Sequence, residues 1–309
     1  FGKNMPSSLY WLPLARYGLV PAVLQASEDG TGSFIAYQFT GSSARLGRPL
    51  RTLSRAEKSV LDTCKPEHLT AFQEDLSRLP TNDEGLILHH ICKRYEKEGL
   101  IHTRIGDSCL VFINPRSRLA SHSSADTLWR LREQCEANDG DPEPHVYSLV
   151  GKAYQRLMSE GKTQFFTVSG EAGSGKSDCI DRAVEYLIYA TEKTDSRSNI
   201  GTTSTGGRGL AHASSILDPF VHTGSTLHRT RACQLKVLTF DFDGEIKSWY
   251  CSVPFLDCDA IIRGGRGDSG TFNIFHMLLA GSTDEELQDL GIDRERGASQ
   301  FPYLVGNED

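Results

Sequence analysis

Residues 170–177 read Gly-Glu-Ala-Gly-Ser-Gly-Lys-Ser and match the phosphate-binding pattern G-x-x-x-x-G-K-S/T without a mismatch. Glycines in such a loop let the backbone adopt positive φ, so that successive amides point toward phosphate oxygens. We therefore expect positive φ at Gly173 and Gly175. In this pattern the lysine contacts the β and γ phosphates, and the hydroxyl that follows it binds Mg²⁺. These roles fall to Lys176 and Ser177.

The segments on either side of this loop predict the elements that must position it. Residues 163–169 are rich in aromatic and β-branched side chains, which predicts a buried strand. The loop is followed by apolar residues at helical spacing, namely Ile180, Ala183, Val184, Leu187 and Ile188. A strand, a glycine loop and a helix N-terminus form an anion site, because unpaired N–H groups and the positive end of the helix dipole face the ligand. The pattern predicts an α/β fold of the P-loop NTPase type, with a mixed central sheet flanked by helices.

Composition excludes several classes of protein. The chain has 309 residues and a net charge of −7, so no basic field indicates a nucleic-acid-binding protein. Its eight cysteines form no C-x-x-C pair and have no histidine at zinc spacing, which favours reduced thiols. The most apolar stretch, residues 9–24, is interrupted by two prolines and an arginine and is too short to span a bilayer. These observations favour the cytoplasm, and Phe1 at the start indicates a fragment, a processed chain or an incomplete gene model.

Local signals predict further elements before the loop. Residues 1–75 carry no recognisable motif, although a helix is expected over residues 54–62. Thr81 and Glu84 have the spacing of a capping box, and the helix that follows is expected to stop at Gly99. Residues 109–113 read as a buried strand that ends at Asn114-Pro115.

Similar signals continue along the chain. A helix is expected over residues 124–135 and a loop over 138–144. Residues 196–209 are Ser, Thr, Gly and Arg rich, which predicts a mobile surface loop. Asp243-Gly244 between two β-rich runs predicts a hairpin. Two helices should follow, over residues 272–279 and from a capping box at Ser282 and Glu285 to Gly291.

Several segments, in order, resemble the myosin motor head. Leu79-Pro-Thr-Asn-Asp83 and residues 103–115, which close on Asn-Pro, resemble the opening of that head. Residues 144–147, Pro-His-Val-Tyr, resemble the segment before its phosphate loop, and the Gly-Glu start of residues 170–177 is similar to the myosin form of the loop. Residues 216–220 resemble a further helix of the head.

The resemblance covers about residues 77–309, and residues 271–281 are similar to another helix of the head. Leu79-Pro-Thr-Asn-Asp83 and residues 280–287 look most like the motor-like domain fused to fungal chitin synthases. The chain is therefore divided into an N-terminal extension of unknown role, residues 1–76, and a partial motor-like domain, residues 77–309.

The chain departs from the family in the segments that act on the γ-phosphate. Residues 227–234 correspond to switch I, N-x-x-S-S-R-x-G, but keep only Thr230-Arg231. The adenine-side loop keeps Asn114-Pro115, while its closing Pro-x-Tyr is replaced by Ala-Ser-His at residues 120–122. The resemblance implies Thr230 and Arg231 as catalytic candidates, Ser177 as the Mg²⁺ ligand, and nucleotide contacts by Asn114, Pro115, Gly170, Glu171, Ala172, Gly173, Ser174, Gly175, Lys176 and Ser177.

The resemblance implies Mg-ATP binding by part of a divergent motor, with hydrolysis weakened because switch I is eroded. It also implies actin as a partner, a fused or associated chitin synthase module, and a cytoskeletal location, at a vesicle or the plasma membrane through a longer chain. Two alternatives stay open. One is a non-motile pseudo-motor, an adaptor or scaffold that binds nucleotide without turnover, and the other is a P-loop kinase of small molecules.

Overall fold

The computed structural model describes residues 9–39, 47–70, 73–117, 124–137, 140–171, 173–191, 205–223, 232–256 and 271–305. The chain forms two compact units, Phe1–Pro115 and Arg116–Asp309. Both helices and strands are present, as the predicted α/β class requires. In the described part of the chain, no helix has the length and apolar character needed to cross a membrane.

The first unit begins with a five-stranded antiparallel sheet that the sequence analysis did not anticipate. Its strands, in the spatial order β4-β3-β2-β1-β5, are β1 (Leu9–Leu14), β2 (Gly18–Ala26), β3 (Phe34–Gln38), β4 (Pro49–Leu53) and β5 (Thr63–Cys64). Strand β1 pairs with both β2 and β5, since Tyr10 lies opposite Ala22 on one side and opposite Thr63 on the other. The apolar stretch 9–24 is therefore a strand pair in this sheet.

Both faces of this sheet are apolar, because β1 alternates its side chains between two clusters. Leu12 packs with Ala22, Ala36 and Leu53 on one face. Leu9 and Trp11 pack on the other face with three residues of later elements, Cys64, Leu69 and Leu86. A short helix, α1 (Arg55–Ser59), lies between β4 and β5 in the chain, and a second, α2 (Pro66–Thr70), follows β5.

The long helix α3 (Glu84–Glu98) packs directly on β1. A Cβ atom at Gly85 would lie 2.3 Å from the Trp11 ring, so only glycine permits this approach. Asp83 caps the helix by accepting a hydrogen bond from Leu86 N at 2.8 Å. The expected capping box at Thr81 and Glu84 was wrong, because Asp83 immediately precedes the helix and supplies the cap itself. Gly99 ends the helix in the left-handed conformation, as expected.

The first unit closes with the two-stranded pair β6 (His102–Ile105) and β7 (Cys109–Phe112). A short 3-10 helix, Leu76–Arg78, precedes α3, and its N-cap Asp75 also accepts a hydrogen bond from Gly106 N at 2.8 Å. The expected strand at 109–113 is present, although Cys109 is exposed and the strand is not fully buried. It ends just before Asn114-Pro115, as predicted.

The second unit is mostly helical. Its helices are α4 (Ala125–Ala137), α5 (Val146–Glu160), α6 (Lys176–Thr191), α7 (Thr205–Val221), α8 (Asn273–Gly281), α9 (Asp284–Asp289) and α10 (Pro302–Val305). Helices α4, α5 and α6 pack together, since Gly151 of α5 lies against Cys135 of α4 and the Tyr186 hydroxyl of α6. Helix α7 begins at Thr205, inside the predicted mobile loop 196–209, and residues 196–204 of that loop lie outside the described ranges.

The predicted hairpin is confirmed as β8 (Ala232–Phe240) and β9 (Ile246–Leu256). Its turn contains Gly244 at φ 82°, and the Asp241 carboxylate accepts backbone hydrogen bonds from residues 243 and 245 at 3.0 and 2.9 Å. One face of the hairpin packs on α6 and α7 through a cluster of Val184, Leu210 and Ile246.

The cap of α9 corrects a second sequence prediction. Thr283 and Glu286 form the capping box, in place of Ser282 and Glu285. Ser282 instead caps the C-terminus of α8, where its N–H donates to the carbonyl oxygen of Leu278. The residue that follows it is therefore the one left to start the next helix.

Candidate functional site

The glycine-rich loop joins α5 to α6 and has the backbone conformation that its sequence predicts. Gly173 has φ 77° and Gly175 has φ 91°, which confirms the expected positive values. Ser174 N donates to the carbonyl oxygen of Glu171 at 3.2 Å, and Cys179 N donates to that of Gly175 at 3.0 Å. The loop therefore turns back on itself and leads directly into the first turn of α6. The unpaired N–H groups of that turn thus lie beside the loop.

The Lys176 side chain lies across this loop. Its Nζ donates to the carbonyl oxygens of Gly170 and Glu171, each at 2.7 Å. An ammonium group has three N–H donors, so one remains after these two contacts. The lysine is the first residue of α6, where the helix dipole also favours a negative ligand. The fixed positive charge, the spare donor and the helix N-terminus together suit an anionic oxygen.

Ser177 differs from Lys176 in being exposed. No hydrogen bond to its hydroxyl is found within the described ranges, which leaves the oxygen able to bind an incoming group. The described residues also contain no cluster of three or more His, Cys, Asp or Glu side chains that could hold a metal ion. Burial raises the pKa of the neighbouring Cys179 thiol to about 11, so that side chain stays a neutral thiol near pH 7.

Contacts with α5 hold α6 in place behind the loop. The fully buried Tyr147 donates its hydroxyl hydrogen to Glu185 Oε2 at 2.8 Å. Arg182 donates to the same carboxylate oxygen at 3.0 Å and lies 3.5 Å from Asp178 Oδ1. Burial, with the Glu185 hydrogen bond adding to it, raises the pKa of Tyr147 above its ordinary value. The phenol therefore stays protonated and remains a donor.

The hairpin also contacts α5 and α6. Lys236 of β8, only 9% exposed, lies 3.1 Å from Asp181 Oδ1 of α6. Tyr154 of α5 donates to the carbonyl oxygen of Gly244 at 2.8 Å. These supporting residues were missed by the sequence reasoning. The spacing of Asp178, Arg182 and Glu185 on one helix could have indicated their ion pairs, whereas the cross-element contacts have no local signal.

The expected strand before the loop was wrong. Residues 163–169 form no assigned strand, and Phe165 is 90% exposed. The sequence has strand propensity, but no neighbouring strand pairs with it among the described residues. High β propensity alone does not form a strand, because the backbone hydrogen bonds of a sheet require a neighbouring strand.

The other proposed site residues are only partly placed. Lys176 contacts Gly170 and Glu171 of the loop, and Ser177 follows it in α6. Ala172, Thr230 and Arg231 lie outside the described residues. Asn114 and Pro115 follow β7 in the first compact unit and are half-buried. Their assignment to an adenine-side loop stays a prediction.

Comparison with known proteins identifies one family. The sequence pattern described as "Myosin head (motor domain)" matches residues 73–309. The chain is 26% identical to human Myosin-14 over 285 residues, which is 91% of this chain and 13% of that protein. It is 27% identical to Myosin IA heavy chain of Dictyostelium discoideum over 237 residues, 76% of this chain and 22% of that protein. The chain thus spans less than a quarter of either relative.

Proposed function

Because the chain belongs to the myosin head (motor domain) family, we propose that it is a Mg-ATP-binding part of a divergent myosin-type motor. The observation that carries this proposal is the loop geometry, in which Lys176 is held by two loop carbonyls at the start of α6. The family match begins at residue 73, close to the proposed domain boundary at 76–77. The P-loop NTPase arrangement of the second unit is part of the same proposal.

The loop residues fit a triphosphate with Mg²⁺. The remaining Lys176 donor and the loop amides would contact the β and γ phosphates, with Gly173 and Gly175 leaving no Cβ in the way. The Ser177 hydroxyl would hold Mg²⁺ together with phosphate oxygens and water, which suits an ion that keeps several waters. Bound Mg²⁺ would supply charge neutralisation between the phosphates. Asn114 and Pro115 are the proposed contacts on the adenine side.

We propose that hydrolysis is weak in this chain. Phosphoryl transfer to water depends on groups that enclose the γ-phosphate and position the water. In the segment that resembles switch I, only Thr230-Arg231 is kept. Arg231 is the proposed γ-phosphate contact, with Thr230 beside it. A pseudo-motor that binds nucleotide without turnover is the second candidate, and the same sequence observation favours it.

The partners follow from the family and from the sequence resemblance. We propose filamentous actin as the macromolecular partner and the cytoskeleton as the location, because the relatives are myosins. Leu79-Pro-Thr-Asn-Asp83 and residues 280–287 support a link to a chitin synthase module. Such a link would bring the domain to a vesicle or the plasma membrane through a longer chain.

Removal of the Lys176 charge tests the nucleotide site. We expect Lys176→Ala to weaken binding of a fluorescent ATP analogue at least tenfold, since a charge-assisted hydrogen bond contributes about 1.5–3 kcal/mol. Fluorescence titration of both proteins gives the two dissociation constants. The matched control is Lys162→Ala, which removes an exposed lysine paired with Glu160 just before the loop. Equal affinities in wild type and Lys176→Ala would remove the assignment.

A further inference from the structure

Helix α6 carries acidic side chains in its first turns, directly behind the loop that is proposed to bind nucleotide. Asp178 follows the proposed metal ligand Ser177 in the chain, and Asp181 comes about one turn later. An acid in the first turn stabilises the helix itself through the helix dipole. A carboxylate so close to a bound triphosphate would nevertheless repel it, because like charges interact unfavourably. An anionic ligand therefore needs these acids to be neutralised within the protein.

Each of the two acids is paired with a cation. Arg182 Nη2 lies 3.5 Å from Asp178 Oδ1, and Lys236 Nζ of β8 lies 3.1 Å from Asp181 Oδ1. The Arg182 side chain is only 26% exposed, so its charge is screened less by water and salt than a fully exposed charge would be. Of the two pairs, Asp178 and Arg182 matter more for a ligand at the loop, since Asp178 is adjacent to Ser177.

Arg182 is itself held in place from the neighbouring helix. Its Nη1 donates to Glu185 Oε2 at 3.0 Å, and the same oxygen accepts a hydrogen bond from the buried Tyr147 of α5 at 2.8 Å. The guanidinium thus extends from an anchored carboxylate to Asp178. Arginine suits this position, because its planar group presents several donors in fixed directions. The positive charge beside Asp178 is therefore preorganised.

We propose that Arg182 is a positioning residue for the nucleotide, which acts through Asp178 by neutralising that carboxylate beside the loop. The inference rests on the proposed function of the loop and names a specificity determinant of the same site. The effect depends on the charge of the ligand, because repulsion by an unpaired Asp178 grows with the negative charge that it faces. Magnesium neutralises about two charges of ATP. Arg182 should therefore matter more for free ATP than for Mg-ATP.

Removal of the Arg182 charge tests the proposal. Arg182→Met keeps an unbranched side chain and should weaken binding of a fluorescent ATP analogue about fivefold in EDTA but only about twofold in Mg²⁺, the range expected of a partly exposed charge pair. Fluorescence titration in the two buffers gives the dissociation constants. Arg182→Lys keeps the charge and should bind nearly as wild type does. Circular dichroism and thermal unfolding show whether each variant is folded.

A double variant distinguishes neutralisation of charge from distortion of the helix. In Asp178→Asn with Arg182→Met, no carboxylate is left to repel the ligand, so affinity should return to within about twofold of wild type in both buffers. A purely structural loss caused by Arg182→Met would persist in the double variant. The loss in EDTA should also shrink near 1 M salt, where the Debye length is only about 3 Å.

The outcomes separate this inference from the proposed function. If the wild-type protein does not bind the analogue, nucleotide binding by the loop is wrong, and the role of Arg182 is wrong with it. If wild type binds and Arg182→Met binds equally well in EDTA, the loop site stands and only the role of Arg182 is overturned. Failure of Asp178→Asn to restore affinity leads to the same conclusion.

Discussion

Two adjacent side chains at the start of α6 have different environments and therefore different expected roles. Lys176 is fixed by two backbone carbonyls of the loop that it would serve. Ser177 is exposed, and its hydroxyl makes no hydrogen bond within the described residues. A preorganised ammonium binds an anion with little reorganisation, whereas an unengaged hydroxyl can take a place in a metal's coordination shell. The two residues should thus be separable by experiment.

The role of Ser177 predicts a metal-dependent effect of its removal. We expect Ser177→Ala to weaken ATP binding about tenfold in Mg²⁺ but by no more than about twofold in EDTA, because only the metal contact is lost. Equilibrium titration with a fluorescent ATP analogue in both buffers measures this. Ser169→Ala, an exposed serine just before the loop, should change neither value. Equal losses in the two buffers would show that Ser177 is not a metal ligand.

At the scale of elements, the contact between α3 and β1 defines the first unit. Gly85 lies against the Trp11 ring, and Leu86 shares a buried cluster with Leu9 and Trp11. The compact unit runs to Pro115 and so includes part of the region matched to the family. The boundary at 76–77 was placed where the family resemblance begins. Residues on both sides of it nevertheless pack together in this unit.

The close approach at Gly85 predicts a destabilising substitution. Alanine normally improves a helix by about 0.5–1 kcal/mol over glycine, but overpacking costs about 1–3 kcal/mol. Because the new Cβ would lie 2.3 Å from the Trp11 ring, the second effect should dominate in Gly85→Ala. Urea unfolding gives the free energy. Gly281→Ala is the control, since nothing lies within 4 Å of a Cβ there. An unchanged or higher stability of Gly85→Ala would contradict the packing.

A buried histidine of α3 predicts a pH dependence of stability. His90 is 1% exposed, and its Nε2 lies 3.2 Å from the carbonyl oxygen of His68 on α2. Burial, with a smaller contribution from Lys93, lowers the pKa of His90 below 6.5, and the contact with the His68 carbonyl opposes this without reversing it. The unfolded chain then binds more protons below pH 6.5 than the folded one. The His90 contribution to stability is complete above that pH and is lost as the pH falls through the folded pKa.

Urea unfolding between pH 7 and about pH 5 should therefore show falling stability in wild type. The control His90→Gln cannot titrate at this position and should lose less stability over the same interval, whatever its stability at pH 7. If the two proteins show parallel pH profiles, His90 is not the responsible group.

The elements also show what the sequence could and could not predict. Asp243-Gly244 predicted the hairpin correctly, because turn chemistry is local. The loop conformation at Gly173 and Gly175 followed from the motif for the same reason. The sheet β1–β5 was missed, since strand β1 is apolar on both faces and lacks the alternation that marks a half-buried strand. Residues 163–169 show the opposite error, because strand propensity was present without a partner.

At the scale of the whole molecule, sequence similarity supports family membership, whereas local geometry supports nucleotide binding. Family membership rests on residues 73–309. The nucleotide proposal rests on a loop and one helix in the second unit. Turnover depends on segments whose sequence has changed, and Thr230 and Arg231 are what is kept of switch I. Binding and hydrolysis should therefore be separable in this chain.

The most direct test follows the fate of ATP bound by these 309 residues. The protein is mixed with γ-labelled Mg-ATP, and bound nucleotide and released phosphate are measured together, with and without filamentous actin. We expect saturable binding that Lys176→Ala weakens, with bound ATP recovered intact and no increase in phosphate release when actin is added. Absence of binding would contradict the nucleotide site. Actin-stimulated phosphate release would show that Thr230, Arg231 and their neighbours enclose the γ-phosphate well enough for catalysis, and weak hydrolysis would have to be abandoned.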